Sequence, residues 1–230
     1  MKLILKISSL LSIAVLAGCS SGTEKIDGQV AIFGEARELL RNNRSIKKSP
    51  QNAPSITRAF LDTVTVPTLA VTVENTGKTA YLLPAAIRRD TTPGRVTVWK
   101  TLQDENIVVR SGVLIGTKGL GRDLTSANAT PVINSLSARK NSGGLRTLHV
   151  RNDDNGTNEL RMQCEFSVVG QKKITIVEKT YDTLHFNETC QLESEEISND
   201  YWIDSTGSMR QSRQWAGHHL GYLSMKLLKK

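Results

Sequence analysis

The chain has 230 residues, a formal charge of +8, three cysteines and four histidines. That length suits one large β domain or two small ones and buries a real core; we read one domain. One cysteine pair at most, with His149, His185, His218 and His219 scattered, excludes a zinc-ligand spacing. The Lys and Arg residues form no basic stripe, so no nucleic-acid partner is expected.

Residues 1–18 read as a signal peptide: Lys2 and Lys6 precede an apolar stretch from Ile7 to Leu16, then small residues. The stretch is too short to span a bilayer. Leu16-Ala17-Gly18-Cys19 resembles the lipobox of bacterial lipoproteins. The resemblance implies a diacylglycerol on the Cys19 thiol, cleavage before it, and acylation of the new amine with palmitate-type chains. An ordinary cleaved signal with an incidental cysteine is the alternative. Two or three chains, at about 0.8 kcal/mol per buried CH₂, hold a protein stably where one does so marginally. Ser20 in place of Asp implies sorting to the outer membrane, with the body in the periplasm. Cleavage leaves 212 residues and lowers the charge to +6, since Lys2 and Lys6 are lost. Such a body gains attraction for anionic lipid or acidic polysaccharide, although the same charge also serves solubility.

Residues 19–55 read as a helix and connector. Val30, Phe33, Ala36 and Leu40 recur at helical spacing within Gln29–Asn42, opposite Glu35, Arg37, Glu38 and Arg41. The polar run 42–55, with Pro50 and Pro54, has no period.

Residues 56–230 read as an antiparallel β domain, barrel-like or sandwich-like. Leu69, Val71 and Val73 alternate with polar or small residues, and a turn at Asn75–Lys78 leads to a strand over Tyr81–Ile87. Val96–Thr101, a turn at 103–106 and Ile107–Val109 predict a second hairpin. Gly116, Gly119 and Gly121 lack dinucleotide-binding spacing and are assigned to tight turns. Leu160, Met162, Cys164, Phe166 and Val168 share one face of a strand; Leu184, Phe186, Glu188, Cys190 and Leu192 share one face of another. A turn at Gly170-Gln171 would set Cys164 opposite residues near Val177, so the sheet must fold back, near Asp182 or by closing on itself, before the two cysteines can meet. In an oxidising compartment Cys164 and Cys190 are then read as a disulfide contributing about 3 kcal/mol; buried free thiols are the alternative. Three further strands, through Tyr201–Ile203, Arg213–Trp215 and Tyr222–Leu228, end the chain.

The chain has no Gly-x-Ser-x-Gly elbow, phosphate loop or His-Glu-x-x-His helix, and no cofactor is expected. Ser111–Ile115 with Thr117–Leu124, then Cys164, Glu188-Thr189-Cys190, Asn199–Asp204, Gly207, Ser212–Trp215 and Leu220–Leu223 resemble the YjbF/GfcB-type group 4 capsule polysaccharide lipoproteins. Gly217-His218-His219 stands where other members often have Pro-Gly or a similar pair. The resemblance implies a barrel-like β fold, outer-membrane lipidation and a non-enzymatic role in exporting or assembling capsule or another exopolysaccharide, with secretion proteins and the polymer as partners. Self-association through an exposed strand edge is a further expectation.

Sugar recognition uses aromatic faces flanked by Arg, Asp and Gln. Trp215 with Arg213 and Gln214, and Arg122 with Asp123, have that chemistry; the competing readings are a core tryptophan and a loop-fixing pair. Strand parity turns Glu188 inward, where an unpaired carboxylate is costly, so a partner is required and Arg213 or Arg122 is expected. The alternatives to a binding protein are a polysaccharide-modifying enzyme, which needs converging carboxylates or a Tyr/His/Arg cluster, and a scaffold that touches no sugar.

Overall fold

The computed structural model describes residues 23–24, 56–154 and 156–230. The sequence-predicted signal peptide, Cys19, the 29–42 helix and the 42–55 connector lie outside them. No helix among the described residues is long and apolar enough to cross a membrane.

Thirteen strands are described: β1 (Thr23–Glu24), β2 (Thr68–Val73), β3 (Lys78–Arg88), β4 (Val96–Lys100), β5 (Asn106–Arg110), β6 (Val113–Lys118), β7 (Leu124–Ala127), β8 (Ser142–Arg151), β9 (Thr157–Ile176), β10 (Lys179–Leu192), β11 (Glu195–Asp204), β12 (Met209–Trp215) and β13 (Tyr222–Lys229). Their order, β6-β5-β4-β3-β2-β13-β12-β11-β10-β9-β8-β7, is antiparallel throughout, and twelve of them form a nearly closed barrel. The short loop 119–123 brings β6 and β7 side by side, so the two sheet edges come together instead of facing solvent. β1 lies off this path, antiparallel to the end of β3, with Thr23 opposite Arg88 and Glu24 opposite Ile87.

Alternation along the strands builds two apolar clusters inside the barrel. Leu69, Val71, Leu82, Trp99, Leu148, Met162, Cys164, Cys190, Leu223 and Met225 belong to the larger. Phe166, Phe186, Tyr201 and Ile203 meet helix α2 (Thr130–Ala138) in the second. Pro131 sits in the first turn of α2, where its missing N–H costs no helical bond, and the Asn128 side chain accepts from the Thr130 N–H, satisfying a free donor of that turn. The helix packs close because Gly144 faces it: a Cβ there would lie 3.1 Å from Pro131 Cβ. Neither α2 nor the β7 and β8 strands around it stood out in the sequence, since Thr130–Ala138 is short and its polar residues are Ser, Thr and Asn.

A third cluster sits outside the wall. Helix α1 (Arg58–Thr63), capped by the Thr57 side chain, buries Leu61 against Ile176 and Leu228. Arg58 donates to the carbonyls of Val177, Ile176 and Leu228, pinning the tip of the β9–β10 hairpin to the barrel.

That hairpin corrects the predicted turn. Its reversal is at Val177-Glu178, both at positive φ, and Gly170 lies within β9 beside a bulge between His185 and Phe186. Cys164 and Cys190 are therefore direct cross-strand partners, with Cα atoms 4.0 Å apart and the sulfurs bonded, and no reversal near Asp182 is needed. Counting from Val177-Glu178 instead of Gly170-Gln171 sets Cys164 opposite Gln191, and the bulge moves the register by the one residue that brings Cys190 to it. Gly116 lies within β6, whereas Gly119 and Gly121 take the positive φ of turns.

Candidate functional site

Between the two interior clusters lies a polar layer. Glu188 falls between Phe186 and Cys190 on β10, Asn199 between Ile197 and Tyr201 on β11, and all are buried. The partner of Glu188 is Arg146 of β8, which corrects the expectation of Arg213 or Arg122. Arg146 Nη1 donates to Glu188 Oε1 at 3.0 Å and Oε2 at 2.9 Å, and its Nε donates to the Asn128 carbonyl. Asn199 Nδ2 and the Tyr201 hydroxyl also donate to Oε2, at 2.9 and 2.7 Å. Burial opposes the Arg146 charge, yet the adjacent carboxylate raises its pKa overall. Burial first, then Glu188, pushes the Tyr201 phenol well up, so it stays a proton donor to the carboxylate. Gly144, Arg146 and Leu148 share parity on β8, so alternation was the signal that could have found this arginine.

Gln214 continues the layer. Its Oε1 accepts from the Leu114 N–H at 2.8 Å, and its Nε2 donates to the Gly112 carbonyl and Ser212 Oγ, tying β12 to β6 across the interior. Cys164, Glu188 and Cys190 form a cluster with metal-ligand proximity, but the two sulfurs are bonded to each other and offer no thiolate.

The remaining sequence candidates do not converge with these. Arg213 faces the outside of the wall, paired with Glu74 at 2.9 Å and lying 3.4 Å from the Tyr222 ring centroid. Trp215 joins the larger core, and its backbone N–H donates to Asn199 Oδ1. Asp123 folds its own loop by accepting from Thr117 Oγ1, Gly119 N and Leu120 N, while Arg122 pairs with Asp153 instead of Asp123.

The open site is elsewhere. A cleft of about 730 Å³ occupies the barrel end formed by the 89–95 and 205–208 connections, here called the mouth. Its floor includes Trp99, Val109 and Met225, and its rim carries Arg89, Arg95, Lys230 and the hydroxyls of Thr91, Thr206 and Ser208. Arg110 shapes this rim: it grips Asp90 with two hydrogen bonds of 2.7 Å and donates to the Thr92 and Gly94 carbonyls. Gly94 is required there, with φ +100° and a would-be Cβ 2.7 Å from Ser111 Oγ. The Arg110 hydrogen bonds hold Asp90, the one acidic residue lining the cleft among those described, at a pKa of about 2. It is therefore no proton donor near neutral pH. Arg89 and Arg95 pair with no carboxylate among the described residues. The result is a net-positive pocket with an aromatic floor and hydroxyl-bearing walls. Nothing in the sequence pattern joined Arg89, Arg95 and Lys230, because three separate segments supply the mouth.

A family model described as "Group 4 capsule polysaccharide lipoprotein gfcB, YjbF" matches residues 28–228. The chain resembles the crystal structure of the hypothetical lipoprotein YmcC from Escherichia coli K12, with 20% identity, a TM-score of 0.65, and coverage of 77% of this chain and 90% of that one. A putative exported protein with YmcC-like fold from Bacteroides fragilis aligns at 12% identity and a TM-score of 0.31, over 71% of this chain and 94% of that one. Among curated proteins, none matches.

Proposed function

The chain belongs to the YjbF family of group 4 capsule polysaccharide lipoproteins, and from that premise we propose that it is an outer-membrane-anchored periplasmic lipoprotein that helps export or assemble the polymer by binding it. Anchoring is through acylated Cys19, and the partners are the secretion proteins of the same pathway together with the polysaccharide. The observation that carries the binding role is the mouth cleft: a concave, net-positive surface suits an acidic glycan, with Arg89, Arg95 and Lys230 meeting its carboxylates or phosphates. Glycoside hydrolysis needs two carboxyl groups flanking the bond. Among the described residues Asp90 is the one acid on the cleft wall and is already held by Arg110, and the Glu188 carboxylate is sealed inside the barrel.

The test is binding of the purified acidic polymer to the full-length mature protein over a salt series, with polymer length measured before and after. Binding that weakens with salt, is lost in Arg89→Ala/Arg95→Ala, survives in Arg213→Ala and leaves polymer length unchanged is expected. Shortened polymer, or wild-type protein that retains no saccharide, overturns the reading.

A further inference from the structure

We infer that the mouth is the membrane-proximal end of the molecule and that its basic rim rests on the anionic headgroups of the leaflet holding the anchor. The inference rests on the reading of Cys19 as lipidated and adds the direction in which the barrel points.

The first argument is reach. β1 pairs Thr23 with Arg88, the last residue of β3 before the 89–95 rim of the cleft. Cys19 precedes Thr23 by four residues, so its Cα lies within about 14 Å of Thr23 whatever path the chain takes. From Arg88 back to Lys78, β3 runs about 33 Å toward the opposite end of the barrel. A tether less than half that long cannot place the opposite end against the membrane while the mouth points away.

The second argument is charge, and it is independent of the tether. The connections at the mouth, with the C-terminal residue, carry Arg89, Arg95, Arg139, Lys140 and Lys230 against Asp90 and Glu178, and Asp90 is already neutralised by Arg110. The connections at the opposite end carry Glu74, Asp104, Glu105, Asp123, Asp153, Asp154 and Glu193 against Arg122; Arg122 pairs with Asp153, and bases of the adjoining strands pair with two more, Arg213 with Glu74 and Lys100 with Asp104, so Glu105, Asp123, Asp154 and Glu193 keep that end acidic. Scattered along the sequence, these charges show no cluster; the antiparallel up-and-down path sorts them to opposite ends. An anionic surface attracts the first end and repels the second, with each basic residue at the surface contributing a factor of about five in affinity. Side-on and mouth-down poses both satisfy the tether, and the charge distribution selects mouth-down. The cleft then opens at the leaflet, where anionic headgroups and the acidic groups of the polymer compete for Arg89, Arg95 and Lys230.

The decisive experiment is hydrogen exchange on the mature chain held on vesicles through Cys19, by its own acyl chains or, where that thiol is free, by coupling it to a maleimide lipid. On phosphatidylglycerol vesicles, amides in 89–95 and 205–208 are expected to exchange more slowly than on phosphatidylcholine, while those in 101–105 and 152–154 do not change. Arg89→Glu/Arg95→Glu is expected to abolish the difference. Slowing at 101–105 and 152–154, or equal exchange at both ends on phosphatidylglycerol, overturns the inference. Mass spectrometry of the cellular protein decides separately whether Cys19 is acylated; an unmodified thiol sinks the anchoring reading, while the coupled sample still reports the direction.

Discussion

Glu188 of β10 and Arg146 of β8 meet at 2.9 Å across the intervening β9, although their own strands do not pair. The contact forms within a layer that separates the two apolar clusters, and every oxygen of the carboxylate has a donor. A buried ion pair adds little net stability over an apolar substitute, but an orphaned partner is expensive.

Arg146→Met is therefore expected to cost about 3–5 kcal/mol, and Glu188→Leu a similar amount, while Arg146→Met/Glu188→Leu costs much less than the two together. Urea unfolding of the four proteins measures this. Additive losses would mean that the two side chains act independently.

Gln214→Leu leaves the Leu114 N–H and the Gly112 carbonyl without partners, at about 1–3 kcal/mol. Exchange of the Leu114 amide should speed up more than that of amides elsewhere in β6, because this bond spans the interior from β12.

Reducing the Cys164–Cys190 bond, or replacing both residues with Ala, should lower stability by about 3 kcal/mol, given its separation of 26 residues. The midpoint of denaturant unfolding with and without reductant reads the effect. The fold should persist, since Cys164 and Cys190 remain neighbours in an extensive hairpin.

Asp90 has an ordinary pKa of 3.8, and the Arg110 hydrogen bonds lower it to about 2 in the folded chain. The lowered value means that the unfolded chain takes up this proton first. The stabilisation is complete above about pH 4 and is lost as pH falls toward 2. An NMR titration of the Asp90 carboxyl should show the low value in the wild type and a return toward 3.8 in Arg110→Met.

Much of the fold was legible because side-chain alternation is local: with a period of two, the inward faces of 160–168 and 184–192 follow from the residues alone. Hence Cys164, Glu188 and Cys190 were placed inward, and Glu188 was seen to need a partner. Which residue answers it depends on register, and register here passes through a bulge at His185 and Phe186 and a turn of two non-glycine residues, Val177 and Glu178. Neither carries a strong sequence signal, so neither the position of the turn nor Arg146 as the partner of Glu188 follows from the residues alone.

Alternation and turn residues determined a β-rich body, and residues spread along most of the length carried the resemblance to the family whose model matches residues 28–228. Tertiary structure alone decided the partner of Glu188, the separation of Arg213, Gln214 and Trp215 among outer wall, interior and core, and the assembly of Arg89, Arg95 and Lys230 around one cleft. The physical reason is that facing is set residue by residue along a strand, whereas proximity is set by how strands are joined, and closing the barrel brings together positions more than one hundred residues apart.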